Sequence, residues 1–217
     1  MWSISPMMMA SAVDPVTFIA AGSQTSTTLT LADKGAAVDD ILWLFSPQNQ
    51  GIPASPGFVP SGSGWTSTSY VVTLGAVATF VWKKITSTDA ISLTVTGPNY
   101  GFSYGIYRGP QTCAVVVDDT DSAGADTDHA ITWPAKNAAC VALVALGRQA
   151  SAACNMSADT GWTDRNHGFA NTGGSPMAYD VLDSFTPPAG SHVTTFPGVF
   201  ADGGTAPHRI IGVELRT

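Results

Sequence analysis

Short apolar runs separated by turn residues recur along the whole chain. They begin with VTFIA at 16–20, STTLTL at 26–31, DILWLF at 40–45, AVATFVWKKI at 76–85, ISLTVTG at 91–97 and GFSYGIYRG at 101–109. They continue with CAVVV at 113–117, HAITW at 129–133, CVALVAL at 140–146, SPMAYDVLDSF at 175–185, HVTTFPGVF at 192–200 and HRIIGVELR at 208–216. Most are strand-length and rich in Val, Ile, Thr, Phe and Tyr, and Gly, Pro, Asn or Asp stand between them. Punctuation this frequent leaves no room for helical crossovers. The expected fold is therefore all-β, an antiparallel β-sandwich of jelly-roll-like form. Composition agrees: Glu occurs once, at Glu214, and Lys only four times, so the residues that usually cover an exposed helix are nearly missing.

Two kinds of strand can be told apart. In ISLTVTG, Ile91, Leu93 and Val95 alternate with Ser92, Thr94 and Thr96, as in a strand with one buried face. CVALVAL is apolar at successive positions and is expected to be a central strand covered on both sides. The chain also echoes itself. DILWLF leads to GWTS at 64–67 and then to GAVATFVWKKI, SLTVTG and GFSYGIYRG; CVALVAL leads to GWTD at 161–164 and then to GSPMAYDVLDSF, TTFPGV and HRIIGVELR. Trp162 follows Trp65 by 97 positions, and Gly174 follows Gly75 by 99. Two similar halves sharing one core follow from this, about 14–112 and 129–217 within one domain 14–217, joined by a connector at 118–128. Residues 1–13, MWSISPMMMASAV, have no basic leader region and an apolar stretch broken by Ser and Pro, so the expectation is an apolar N-terminal arm that docks on a neighbour or frays in solution.

The order of a VDDILWLF strand, a GWT turn, a FVWKKI strand, a TVTG strand and an IYRG strand resembles the β-sandwich modules of tailed-phage virion proteins. In those modules a GDLLVAF-type strand precedes a Trp turn, a YYKVA-type strand and an AYRGV-type strand. A second round ends in a strand like IIGVELRT, and the resemblance covers about residues 14–217. This chain departs by having Asp39-Asp40 where the family tends to have Gly-Asp, and by its N-terminal arm. The resemblance implies a non-enzymatic part of the virion: minor tail, tail adhesion, or head fibre and decoration.

A net charge of -7 with nine basic residues scattered singly excludes a phosphate-tracking nucleic-acid surface. No apolar run is long enough for a membrane helix, so no membrane insertion is expected. Cys113, Cys140 and Cys154 show no metal-ligand spacing, and Cys140 in AACVALVAL reads as a buried thiol.

Chemistry-bearing patterns are sparse. VVVDDTDSAGADTDHAITW, Val115–Trp133, packs five aspartates and a histidine together. Asp119, Asp121 and Gly124 begin a calcium-loop pattern that fails at Ala123 and Ala130, so an EF-hand is excluded. A looser calcium site built on Asp119, Asp121 and Asp126 stands against a solvated connector, which is the expected reading; otherwise no cofactor is implied. Trp65 and Trp162, each in a Gly-Trp-Thr turn, are the candidates for glycan stacking, and their repetition favours plugs at the two sandwich ends. Trp43 and Trp82, inside apolar strands, are expected in the core. Arg108, in YRG, is expected to hold loop carbonyls with its guanidinium fork at a sandwich edge. His129, His167, His192 and His208 lie far apart, and no nucleophile elbow or zinc helix is present.

The expected function is thus an oligomeric virion protein at a tail tip or fibre, assembled with other virion proteins and contacting a host-surface glycan. Head decoration is the alternative within that class. A carbohydrate-binding module or glycan depolymerase is the alternative outside it, and it requires exposed Trp65 or Trp162.

Overall fold

The computed structural model describes residues 15–24, 28–49, 58–60, 63–67, 72–73, 76–88, 91–95, 102–121, 129–134, 140–149, 160–170, 177–188, 190–196 and 208–217. The N-terminal arm and Cys154 lie outside them. The first strands are β1 (Thr17–Gln24), β2 (Thr28–Leu29), β3 (Ile41–Asn49), β4 (Phe58–Pro60) and β5 (Thr66–Ser67). They are followed by β6 (Val72–Thr73), β7 (Ala76–Lys84), β8 (Ile91–Val95) and β9 (Phe102–Arg108). The remainder are β10 (Thr112–Asp121), β11 (His129–Trp133), β12 (Val141–Gln149), β13 (Thr163–Ala170), β14 (Met177–Ser184), β15 (His192–Phe196) and β16 (His208–Arg216). Every strand pair is antiparallel, and the fold is an all-β sandwich. Among the described residues no helix is long and apolar enough to cross a membrane.

The topology is the same pattern used twice. In the first half β1 pairs with β9, β2 with β8 and β3 with β7, which is one long hairpin folded back on itself. Rolling it sets β9 beside β3 and gives the sheet order β1-β9-β3-β7-β5, with β2-β8-β4 as a separate small sheet. In the second half β10 pairs with β16, β11 with β15 and β12 with β14. The same roll gives β10-β16-β12-β14-β13, with β11-β15 separate. Following the ladders position by position makes Ile41 equivalent to Val141, Trp43 to Leu143, Gly105 to Val213, Trp82 to Asp183 and Arg108 to Arg216.

The halves therefore meet at the turn from Arg108 to Thr112, not at the Asp-rich stretch. The expected connector at 118–128 overlaps β10 at 118–121, and its residues 122–128 lie outside the described residues. CAVVV is the opening strand of the second half, and β10 continues through Asp118, Asp119 and Asp121, which pair with Ile211, Ile210 and His208. A run of Asp and Thr has poor strand propensity, but a full ladder to β16 overrides it.

Alternation then builds the layers. On β3, Ile41, Trp43 and Phe45 point between the two large sheets, where they pack with Phe80 and Tyr107 against Val141, Leu143, Val181, Val213 and Leu215. Leu42 and Leu44 point the other way, with Ile106, toward Leu29 of β2 and Ile91 of β8. Each large sheet of this kind is covered on both faces. That is why β12 is apolar at consecutive positions: Val141, Ala142 and Leu143 are all buried. Trp43 is fully buried and Trp82 packs against the same cluster, as expected. Cys113 and Cys140 are buried, and burial pushes the Cys113 thiol up well beyond its ordinary range.

Candidate functional site

Where the first half ends, β9 delivers Arg108 to the sandwich edge. Its Nε donates to Asp40 Oδ1 at 2.9 Å and its Nη2 to Asp40 Oδ2 at 3.0 Å, while Nη2 also donates to the Gly35 carbonyl at 3.2 Å. The Asp40 side chain is buried, and its Oδ2 accepts the Ala37 amide at 2.8 Å as well. This fork raises the Arg108 pKa further, through the hydrogen bond to Asp40 and then its charge. The carboxylate thus ties β9 to the turn before β3, the edge role read from YRG. The backbone there is unusual: Asp39 has φ 74°, a left-handed conformation that favours glycine. The glycine that the resemblance expects at position 39 would suit it.

Beside this latch lies an open cavity of about 430 Å³, bordered by Val38, Asp39, Asp40, Arg108, Gly109 and Gln111. Lys84 Nζ donates to Gln111 Oε1 at 2.8 Å and lies 3.4 Å from Asp39 Oδ1. The charges around the cavity are already matched to one another. Pro15 and Thr17 complete its border, and the Thr17 hydroxyl donates to the Pro15 carbonyl at 3.4 Å.

The second polar group sits in the seam between the halves. Tyr107 from the first half donates its hydroxyl to Asp183 Oδ2 at 2.6 Å, and Arg165 Nε donates to Asp183 Oδ1 at 2.8 Å. The Arg165 guanidinium lies over the Phe18 ring at 3.9 Å, and Phe18 meets Tyr107 edge-on at 5.6 Å. Desolvation raises the Asp183 pKa, against which the hydrogen bonds from Arg165 and Tyr107 pull it down. Burial first, and then the Asp183 charge, raises that of Tyr107 well above its ordinary range. Nearby, Asn166 Nδ2 donates to Ser103 Oγ at 2.8 Å, a further bond between the halves. Nothing in the sequence marks Tyr107, Arg165 and Asp183 as a set, because they come from three separate strands.

Trp65 and Trp162 occupy equivalent places, since Thr66 pairs with Trp82 and Thr163 with Asp183. The preceding Gly64 and Gly161 are both left-handed, at φ 83° and 90°. Both indoles are half-buried: Trp65 packs against the Leu42 and Leu44 cluster beneath Lys83, and Trp162 stacks on buried Trp133 at 5.9 Å. Trp133 in turn donates its Nε1 to Thr194 Oγ1 at 3.1 Å and stacks on His192 at 6.2 Å. The geometry is that of plugs. Asp119 and Asp121 are two positions apart on β10, and Asp126 lies outside the described residues. No protein-family model, curated protein or solved structure matches the chain.

Proposed function

We propose that the chain is a non-enzymatic structural component of a tailed-phage virion, an oligomeric tail-tip or fibre adhesion protein that contacts other virion proteins. The observation that carries this reading is the coincidence of motif and architecture. The residues behind the resemblance, the Gly-Trp-Thr turn and the Arg that ends IYRG, fall at equivalent places in two rolled hairpins. Arg108 also closes an edge in the way a scaffold residue does. We read each rolled hairpin as a jelly roll, an architecture used in viral capsid and lectin domains; this part is analogy at the level of fold. Head decoration is the competing place within the same particle. The half-buried packing of Trp65 and Trp162 gives the glycan-binding alternative no support.

Mass spectrometry of gradient-purified particles, with antibody labelling in electron micrographs, tests the reading. The chain should be present at many copies per particle and labelled at the tail tip. A head label would select decoration, whereas expression in infected cells with absence from the particle would overturn the proposal.

A further inference from the structure

A third polar cluster lies on the second half, on the face of β13 and β14 opposite the seam. It is built on β13 and its neighbour β14. Residues three apart on a regular strand face opposite sides, so Asp164 and His167 should diverge. The register shift between Asp164 and Asn166 inserts one extra residue and returns both to the same face. His167 Nδ1 is 2.6 Å from Asp164 Oδ2. Directly opposite His167 on the ladder is Asp180. One ligand atom from each of the three lies within 4.8 Å of the others.

Burial is graded across the group. Asp180 is buried, Asp164 is partly buried, and His167 is exposed. Among the described residues Asp164 Oδ1 is buried without a hydrogen-bond partner. Two carboxylates this close, one of them buried, repel each other, and either a proton on one of them or a cation between them relieves it. An imidazole nitrogen with two carboxylate oxygens is a donor set for borderline divalent ions such as zinc, whereas calcium wants oxygen throughout. The equivalent positions of the first half carry Ser67 for Asp164 and Thr79 for Asp180, neutral hydroxyls with no such set.

We propose that Asp164, His167 and Asp180 bind a divalent transition-metal ion of the zinc class. The ion ties β13 to β14 and keeps a solvent-facing coordination position beside His167. The site rests on side-chain geometry and not on the virion reading.

The test is calorimetric titration of the full, chelator-treated chain with zinc chloride, followed by cobalt(II) absorption spectra. One ion per chain should bind, and about a hundredfold excess over Kd should raise Tm by roughly 5 °C or more. Millimolar calcium should not displace it. His167→Ala should weaken binding about tenfold or more and change the cobalt spectrum, while leaving the metal-free Tm nearly unchanged because the ring is exposed. Asp164→Asn should weaken binding as well, and it keeps the test open if Asp180→Asn does not fold. Zinc binding that is unaltered in His167→Ala would place the metal elsewhere and overturn the proposal. So would an absence of zinc binding to the native chain.

Discussion

The long strand paired with the segment after each Gly-Trp-Thr turn carries different chemistry in the two halves: Thr79 and Trp82 on β7, Asp180 and Asp183 on β14. The ladders of β7 to β3 and of β14 to β12 correspond position by position, so along these two pairings the difference is one of side chain. In the first half the position facing the shared core is filled by an indole. In the second it holds a carboxylate reached by Tyr107 and Arg165. The paired arginines differ in the same way. Arg108 reaches across to buried Asp40, but the place equivalent to Asp40 is Cys140, and Arg216 turns back to Glu214 on its own strand at 2.7 Å. A repeated fold can thus hold its shape while one copy supplies bulk and the other supplies charge.

The largest expected effect comes from exchanging bulk. A Cβ on Gly105 would sit 2.3 Å from the Trp43 indole, whereas its equivalent Val213 faces the smaller Leu143. Gly105→Ala should cost about 3 kcal/mol by overpacking, measured by urea unfolding. Adding Trp43→Leu to Gly105→Val should recover much of the loss, because the pair then matches the second half. If the double variant is no better than the sum of its singles, the equivalence of the two positions is broken.

Next comes the seam. Tyr107→Phe leaves Asp183 Oδ2 without its donor and should cost roughly 1–3 kcal/mol. Because burial raises the Tyr107 pKa above that of the unfolded chain, its contribution is fully present below about pH 10 and is lost as pH rises further. Alkaline unfolding curves should therefore slope more steeply for the native chain than for Tyr107→Phe. Equal slopes would remove Tyr107 from the account.

Arg108→Lys should lower the melting temperature by less than Tyr107→Phe, since the fork is half-exposed, yet by more than Arg216→Lys, which loses a partner on its own strand. The reverse order in calorimetry would mean that the latch to Asp40 adds nothing beyond the same-strand pair of Arg216 with buried Glu214. The smallest effect is a gain: Asp39→Gly relieves a left-handed backbone and should add about 0.5 kcal/mol.

Much of the architecture was legible because strand length, alternation and turn chemistry are local. The runs at Ile41 and Val141 announced buried strands, and the two Gly-Trp-Thr turns announced the repeat. The strand at Asp118–Asp121 is hidden in the sequence for a physical reason. Asp118 to Asp121 look like a solvated connector, but strand pairing is decided by the partner, and β16 supplies a complete ladder. The metal-binding cluster was hidden by a different effect. Asp164 and His167 are three apart, a spacing that separates side chains on any regular strand, and the bulge that unites them has no marker in DRNH. Arg108 was legible as an edge residue, while Asp183 and Tyr107 stand 76 positions apart and nothing local connects them.

The rolled pairing also dictates an order of events during synthesis. In each half the last strand lies between the first strand and the third, β9 between β1 and β3, and β16 between β10 and β12. Neither sheet can zip from its beginning, because the strand that bridges it is made last. The first half can close once Arg108 clears the ribosome, and it then presents the apolar face of Trp43, Phe45 and Phe80 with nothing against it. That face waits through the making of the second half until His208–Arg216 emerges, which is when a nascent chain of this design is most exposed to capture by a chaperone or by its neighbours.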